Sequence, residues 1–152
     1  MVTAVAVEEL LAEVVDPEIP VLTIADLGVL RGVSVEDGAV TVTITPTYSG
    51  CPALGVIEED IVSVLTAAGF GRVTVETAYS PAWTTDWMSD DAKAKLNDYG
   101  IAPPLGAGID SVRCPQCSGA DTSVVSEFGS TACKALMVCG GCGEPFDHFK
   151  SI

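Results

Sequence analysis

The sequence has little positive charge, almost no histidine and no long apolar run. Lys and Arg together number 7 against 21 Asp and Glu, and the formal net charge is −14 over 152 residues. Such a balance repels phosphate backbones and anionic lipid surfaces alike, so neither nucleic-acid nor membrane partners are expected. No stretch of 18 consecutive apolar residues is present, so no transmembrane helix is expected. The start, Met1-Val2-Thr3-Ala4, carries no basic cluster and soon meets Glu8 and Glu9. It does not read as a signal peptide, and a cytoplasmic location is expected. There is no Walker loop, GxGxxG, HExxH or serine–histidine–acid set. With a single histidine a conventional active site is hard to assemble, and the chain is not expected to be catalytic by itself.

What is present is a foldable chain, since apolar residues make up 48%, enough to bury a core and exclude wholesale disorder. The charge is uneven. Residues 1–110 hold 17 acidic and 4 basic side chains, net −13, whereas 111–152 hold 4 and 3, net −1. Five of the six cysteines lie in the second part. Before it runs Gly100-Ile101-Ala102-Pro103-Pro104-Leu105-Gly106-Ala107-Gly108, which reads as a Pro/Gly-rich linker. The expected organisation is an α/β domain over 1–99, a linker over 100–110 and a cysteine-rich module over 111–152.

In the first domain Val7, Leu10, Leu11, Val14 and Val15 recur at helical spacing, and Asp16-Pro17 is the expected stop. Residues 29–35 read as a strand, Glu36-Asp37-Gly38 as a hairpin turn. Val40, Val42 and Ile44 alternate with Thr41, Thr43 and Thr45 in a second strand. A second helix is expected from about Cys51 to Ala68, with Leu54, Ile57, Ile61, Val64, Leu65 and Ala68 on one stripe and Gly69 as its stop. Val73, Val75 and Thr77 mark a third strand. Two amphipathic helices over a sheet with one apolar face predict a two-layer α/β sandwich. Ser89-Asp90-Asp91 begins a further short helix to about Asn97.

Cys114-Pro115-Gln116-Cys117 and Cys139-Gly140-Gly141-Cys142 carry the strongest chemical signal. Two residues between thiols let one tight turn aim both sulfurs at a single point, and two such turns supply four ligands for a tetrahedral metal. Residues 122–128 alternate and 132–138 read as extended, which predicts a zinc ribbon. Four protein ligands leave no open position, so the zinc is expected to be structural. Rubredoxin-like iron and a thiol redox pair are the competing readings. Cys133 lies too far along an extended strand to share that metal, and by itself reads as a small buried residue. His148, between Phe146 and Phe149, reads as a strand residue and not a fifth ligand.

Cys51 stands alone in the first domain, in Thr45-Pro46-Thr47-Tyr48-Ser49-Gly50-Cys51-Pro52. Pro52 places it near a helix start, where free N–H groups and the helix dipole are expected to lower a thiol pKa. A reactive or transiently metal-binding thiol is one reading; a small capping residue is the other. Asp16, Glu18 and Asp26 fall on a loop where acids are commonly just solvated. Trp83 and Trp87 read as core anchors or as a partner patch.

Asp16-Pro17-Glu18, Asp26-Leu27-Gly28, the turn from Thr45 to Cys51-Pro52 and Pro81-Ala82-Trp83 resemble the SufT-type iron–sulfur maturation domain over residues 4–88. Ser126-Glu127-Phe128-Gly129-Ser130-Thr131-Ala132-Cys133-Lys134-Ala135-Leu136, together with Cys139-Gly140-Gly141-Cys142-Gly143-Glu144-Pro145-Phe146, resembles the PaaD (PaaJ) family of the multicomponent phenylacetyl-CoA epoxidase. That resemblance implies a role in aerobic phenylacetate breakdown, assisting iron–sulfur cluster assembly or delivery to the epoxidase reductase, which carries a [2Fe–2S] cluster. The alternative it leaves open is a structural or regulatory subunit of the oxygenase complex. It implies cluster handling at Cys51 with Asp26 as the adjacent acid, a functional part for Cys133, zinc on Cys114, Cys117, Cys139 and Cys142, and a transient iron–sulfur cluster as cargo. Reductase and oxygenase subunits are the expected partners, and the oligomeric state, homodimer included, stays open. The family pattern has glycine directly after the first cysteine pair, where this chain has Ser118.

Overall fold

Alternation along one strand organises the first half of the chain. In the computed structural model, which describes residues 2–48, 50–105 and 111–151, strand β2 (Ala39–Ile44) buries Val40, Val42 and Ile44 and leaves Ala39, Thr41 and Thr43 half-exposed. It pairs antiparallel with β1 (Leu30–Glu36) through a two-residue turn. Asp37 and Gly38 both take left-handed backbone angles there, φ 49° and 78°, the primed geometry that matches strand twist. On its other side β2 pairs in parallel with β3 (Arg72–Thr77), so the order is β1-β2-β3. A parallel neighbour needs a crossover, and α3 (Ala53–Ala67) is that crossover. It buries Ile57, Ile61 and Leu65 of the expected stripe together with Ala53, leaves Leu54 and Val64 half-buried and Ala68 exposed, and ends where Gly69 turns left-handed at φ 103°.

Helix α1 spans Ala4–Leu11, shorter than its apolar spacing suggests. Beyond Leu11 the backbone finds other partners. Asp16 N–H donates to the Leu22 carbonyl, Ile24 N–H donates to that of Val14, and Val15 bridges Thr23. Those bonds compete with another helical turn and win, while Val14 is buried all the same. α1 packs on β1 and α3, and α3 on β3. Both helices therefore form one layer over the sheet, the two-layer sandwich expected. A short helix α2 (Ile24–Leu27) precedes β1, and a cis Ser80–Pro81 bond leads to a 3-10 turn at Thr85–Trp87. Trp83 is buried, and its indole N–H donates to the Leu27 carbonyl at 2.9 Å.

The chain divides into two compact units, Met1–Ser89 and Asp90–Ile152. The second contains α4 (Asp90–Tyr99), β4 (Ile101–Ala102), β5 (Thr122–Ser126), β6 (Lys134–Cys139) and β7 (Pro145–Phe149). Its sheet runs β4-β7-β6-β5. Composition groups α4 with the first domain and reads 100–110 as linker, but the structure divides the chain before α4. The reason is backbone pairing: Ile101 and Ala102 lie parallel to Asp147 and His148, which ties the start of the Pro/Gly stretch to the ribbon sheet. Leu105 then packs against a core of Ala102, Val112, Cys114, Met137, Cys139 and Phe146. The rest of that stretch, Gly106 to Asp110, lies outside the described residues, as does Ser49.

Candidate metal centre and helix-start thiol

Cys114, Cys117, Cys139 and Cys142 meet at one point, with all four Sγ atoms within 4.8 Å of one another. Cys114 and Cys142 are 3.7 Å apart at sulfur, Cys117 and Cys139 3.6 Å. A disulfide needs about 2 Å, whereas a tetrahedron with zinc–sulfur bonds of about 2.3 Å has edges of about 3.8 Å. The spacing fits a tetrahedral metal, and the donor set of four thiols suits zinc or iron.

The two knuckles share the backbone bond to the first cysteine's carbonyl and differ in which N–H reaches its sulfur. The N–H of Gln116 points at Cys114 Sγ and that of Cys142 at Cys139 Sγ, both at 3.4 Å. Ser118 N–H donates to the Cys114 carbonyl at 2.8 Å and Gly143 N–H to that of Cys139 at 2.9 Å. One cysteine of each pair is buried, Cys114 and Cys139, and one is exposed, Cys117 and Cys142. A bound metal would sit at the surface of the unit with its inner ligands in the core.

The sulfurs also influence one another. The Cys142 N–H, helped by that of Gly141, draws Cys139 down to about 7. Although the Glu144 N–H pulls the other way, desolvation and the three neighbouring sulfurs push Cys142 up to about 12. Charge on one sulfur opposes charge on the next, so four thiolates together require a cation.

Among the described residues no other group of three or more His, Cys, Asp and Glu side chains converges in this way. Cys133 is buried just before β6, outside the four, with its sulfur 3.0 Å from Thr131 Oγ1. The loop around it folds over β7. Ser130 Oγ donates to Asp147 Oδ2 at 3.0 Å, and the buried Lys134 ammonium is 3.9 Å from the same oxygen. His148 is a buried strand residue whose Nδ1 lies 3.2 Å from the Ala102 carbonyl. Burial lowers its pKa, and that hydrogen bond only partly offsets the effect.

Cys51 lies one position outside the N-cap, which is Pro52, and is half-buried. The expected lowering of its pKa does not occur. Desolvation raises it, and although the Ala53 N–H works to lower it, the carboxylates of Glu18 and Asp16 add to the rise. The Tyr48 side chain also bonds the thiol. Spacing gave no hint of these neighbours, because Asp16 and Cys51 are 35 positions apart.

Asp16 itself is buried, and its Oδ1 accepts from Glu18 N–H at 2.7 Å and Ile19 N–H at 3.2 Å. Asp26, the acid that the resemblance pairs with Cys51, caps α2. Its Oδ2 accepts from Thr23 N–H at 3.1 Å, while its own N–H donates to Thr23 Oγ1 at 3.0 Å. Gly28 follows at φ 77° with Trp87 against it, and the Arg31 guanidinium stacks 3.8 Å above the Trp87 ring. The resembling motifs thus knit α2, β1 and the 83–87 segment together.

The fold and site define a class: an iron–sulfur-assembly-type α/β unit joined to a four-cysteine zinc ribbon. Residues 4–77 match the family model described as iron-sulfur cluster assembly protein, and residues 104–150 the one described as PaaD zinc beta ribbon domain. Two solved structures resemble the first unit. A domain of unknown function DUF59 from Bacillus anthracis has a TM-score of 0.55 at 30% identity, covering 59% of this chain and 87% of that one. A conserved hypothetical protein from Thermotoga maritima has a TM-score of 0.54 at 31%, covering 62% and 94%. An Fe-S protein maturation auxiliary factor from Porphyromonas gingivalis is 42% identical over 57% of this chain and 84% of its own length. A protein from Escherichia coli K12, named as one of the subunits of a 1,2-phenylacetyl-CoA epoxidase, is 50% identical over 148 residues, 94% of this chain and 90% of its own. The chain belongs to that PaaD family.

Proposed function

We propose that this chain is a non-catalytic accessory protein of a phenylacetyl-CoA epoxidase system, assisting iron–sulfur cluster assembly or delivery to its reductase component. The observation that carries this reading is one chain joining an assembly-type unit, with Cys51 exposed in part at the start of α3, to a ribbon closed by four thiols. The two metal roles are then divided. Cys114, Cys117, Cys139 and Cys142 hold a structural zinc, whose binding supplies folding free energy that a module of this size cannot draw from its core alone. Cys51 handles iron in transit.

At neutral pH the Cys51 thiol keeps its proton, because burial and the Glu18 and Asp16 charges disfavour the thiolate. The same carboxylates attract an incoming iron centre. As the iron–sulfur bond forms, the S–H bond breaks and the proton leaves to solvent. Release reverses the exchange when a client thiolate replaces Cys51, which takes its proton back. A ligand poised on the protonated side suits a carrier better than a store.

The test is to purify the reductase from cells in which Cys51→Ser replaces the native protein. Reduced iron and sulfide per reductase chain is expected; full occupancy and activity would overturn the reading. A second reading, a structural or regulatory subunit of the oxygenase complex, is favoured by the naming of the Escherichia coli relative as an epoxidase subunit. Stoichiometric co-purification with the oxygenase components, unaffected by Cys51→Ser, would select it.

A further inference from the structure

The first unit carries a surface feature that neither metal role uses. β3 is the edge of its sheet, and among the described residues no strand pairs with its outer side. Its backbone N–H and C=O groups there form an open ladder. Alongside lies a groove of about 540 Å³, walled by Glu58, Glu59, Val62 and Ser63 on the outer flank of α3 and by Val75 on β3. Val62 is exposed, so the groove has an apolar element on the helix as well as on the strand.

The rim has one sign. Its two charged lining residues, Glu58 and Glu59, are both acidic, and Thr77 Oγ1 on β3 donates to Glu58 Oε1 at 3.3 Å. The nearest cation on these elements, Arg72 at the start of β3, gives a guanidinium N–H to the Asp37 carbonyl at 2.9 Å. Residues 1–89 hold 13 acidic and 2 basic side chains, net −11, so a second copy of this unit would be repelled from such a rim. An extended segment with basic residues would be attracted, and its apolar residues would face Val62 and Val75.

We infer that the β3 edge and the α3 groove dock an extended, basic segment of a partner protein, which adds as a strand to β3 and sets its lysines or arginines against Glu58 and Glu59. The inference rests on the proposed function in one respect: the probes are the other components of the epoxidase system.

The experiment measures binding of the full, zinc-loaded chain to purified reductase and to purified oxygenase component, at about 50 and 300 mM salt. Three forms are compared: wild type, Glu58→Lys with Glu59→Lys, and a control of equal charge change on α1, Glu8→Lys with Glu9→Lys. Circular dichroism checks that each form is folded, and Val62→Asp tests the apolar contact separately. The expected result is binding to one component that weakens with salt, falls at least tenfold in the groove variant and in Val62→Asp, and changes less than twofold beyond the general charge effect in the control. Binding that survives both groove changes overturns the docking site and leaves the proposed function standing. Absence of binding by the wild type to either component overturns both. A wild-type dimer in sedimentation that the groove variant dissolves would make the occupant a second copy, and overturns the basic-partner inference.

Discussion

Ser118 and Gly143 occupy the same place in the two metal knuckles, one residue after the second cysteine, and both are left-handed, at φ 63° and 80°. Only glycine adopts that backbone without cost; an L side chain there costs about 1–2 kcal/mol. Part of the gain from glycine is returned as unfolded-chain entropy, about 0.5–1 kcal/mol. Ser118→Gly is therefore expected to stabilise the ribbon by about 0.5–1 kcal/mol, read as a higher chelator concentration at half-loss of metal. Ser118→Val, with a branched side chain, should move the midpoint the other way.

Metal stoichiometry separates the five cysteines of the second unit. Purified protein is expected to hold one zinc per chain, and Cys114→Ser, Cys117→Ser, Cys139→Ser or Cys142→Ser should each lose it with the ribbon fold. Cys133→Ser should keep it, because Cys133 lies outside the four. Elemental analysis with amide hydrogen exchange reads both, and loss of zinc from Cys133→Ser would contradict the assignment.

The Cys51 thiol should react slowly. Its folded-state pKa is raised, with burial the main cause and Glu18 contributing. For an acid with a raised pKa the folded state favours the neutral form. Thiolate is thus scarcer than in an unfolded chain at every pH up to and through the raised value. Alkylation of the zinc-loaded protein at pH 7–8 is expected to be slower than that of a free thiol and to climb above pH 9. Glu18→Gln should shift the rate profile to lower pH. Mass spectrometry of the modified site measures this, and a profile unmoved by Glu18→Gln would remove the electrostatic contribution.

Gly28 is held by two constraints at once. Its φ is 77°, and an added Cβ would lie 2.7 Å from Trp87 Cβ and 2.8 Å from the Trp87 carbonyl oxygen. Gly28→Ala should cost about 2–4 kcal/mol, left-handed strain added to overpacking. Denaturant titration of the first unit would read it. Trp83→Phe, which leaves the Leu27 carbonyl without its donor, should cost about 1–3 kcal/mol in the same assay.

Much of the fold is legible along the chain itself. Val40, Val42 and Ile44 declare the buried face of β2 by alternation, Asp37-Gly38 its turn, and two CxxC pairs the metal centre, because these features depend on neighbours a few positions away. The end of α1 is not legible, since residues 22–24 decide it by bonding residues 14–16. Nor is the edge of the second unit, which depends on a pairing between Ile101 and Asp147 across 46 positions.

The same division holds at the site. By itself the sequence determined the four metal ligands, the lone thiol of the first unit and the acidic excess around it, because spacing and composition are local or additive. Tertiary structure alone decided what that acidity does. Folding brings Glu18 and Asp16 to Cys51 and buries it in part, which raises a thiol pKa that the helix start was expected to lower. It also lines up Glu58 and Glu59 with an open strand edge. Electrostatic effects depend on distance and burial, and both come into being only when remote segments meet.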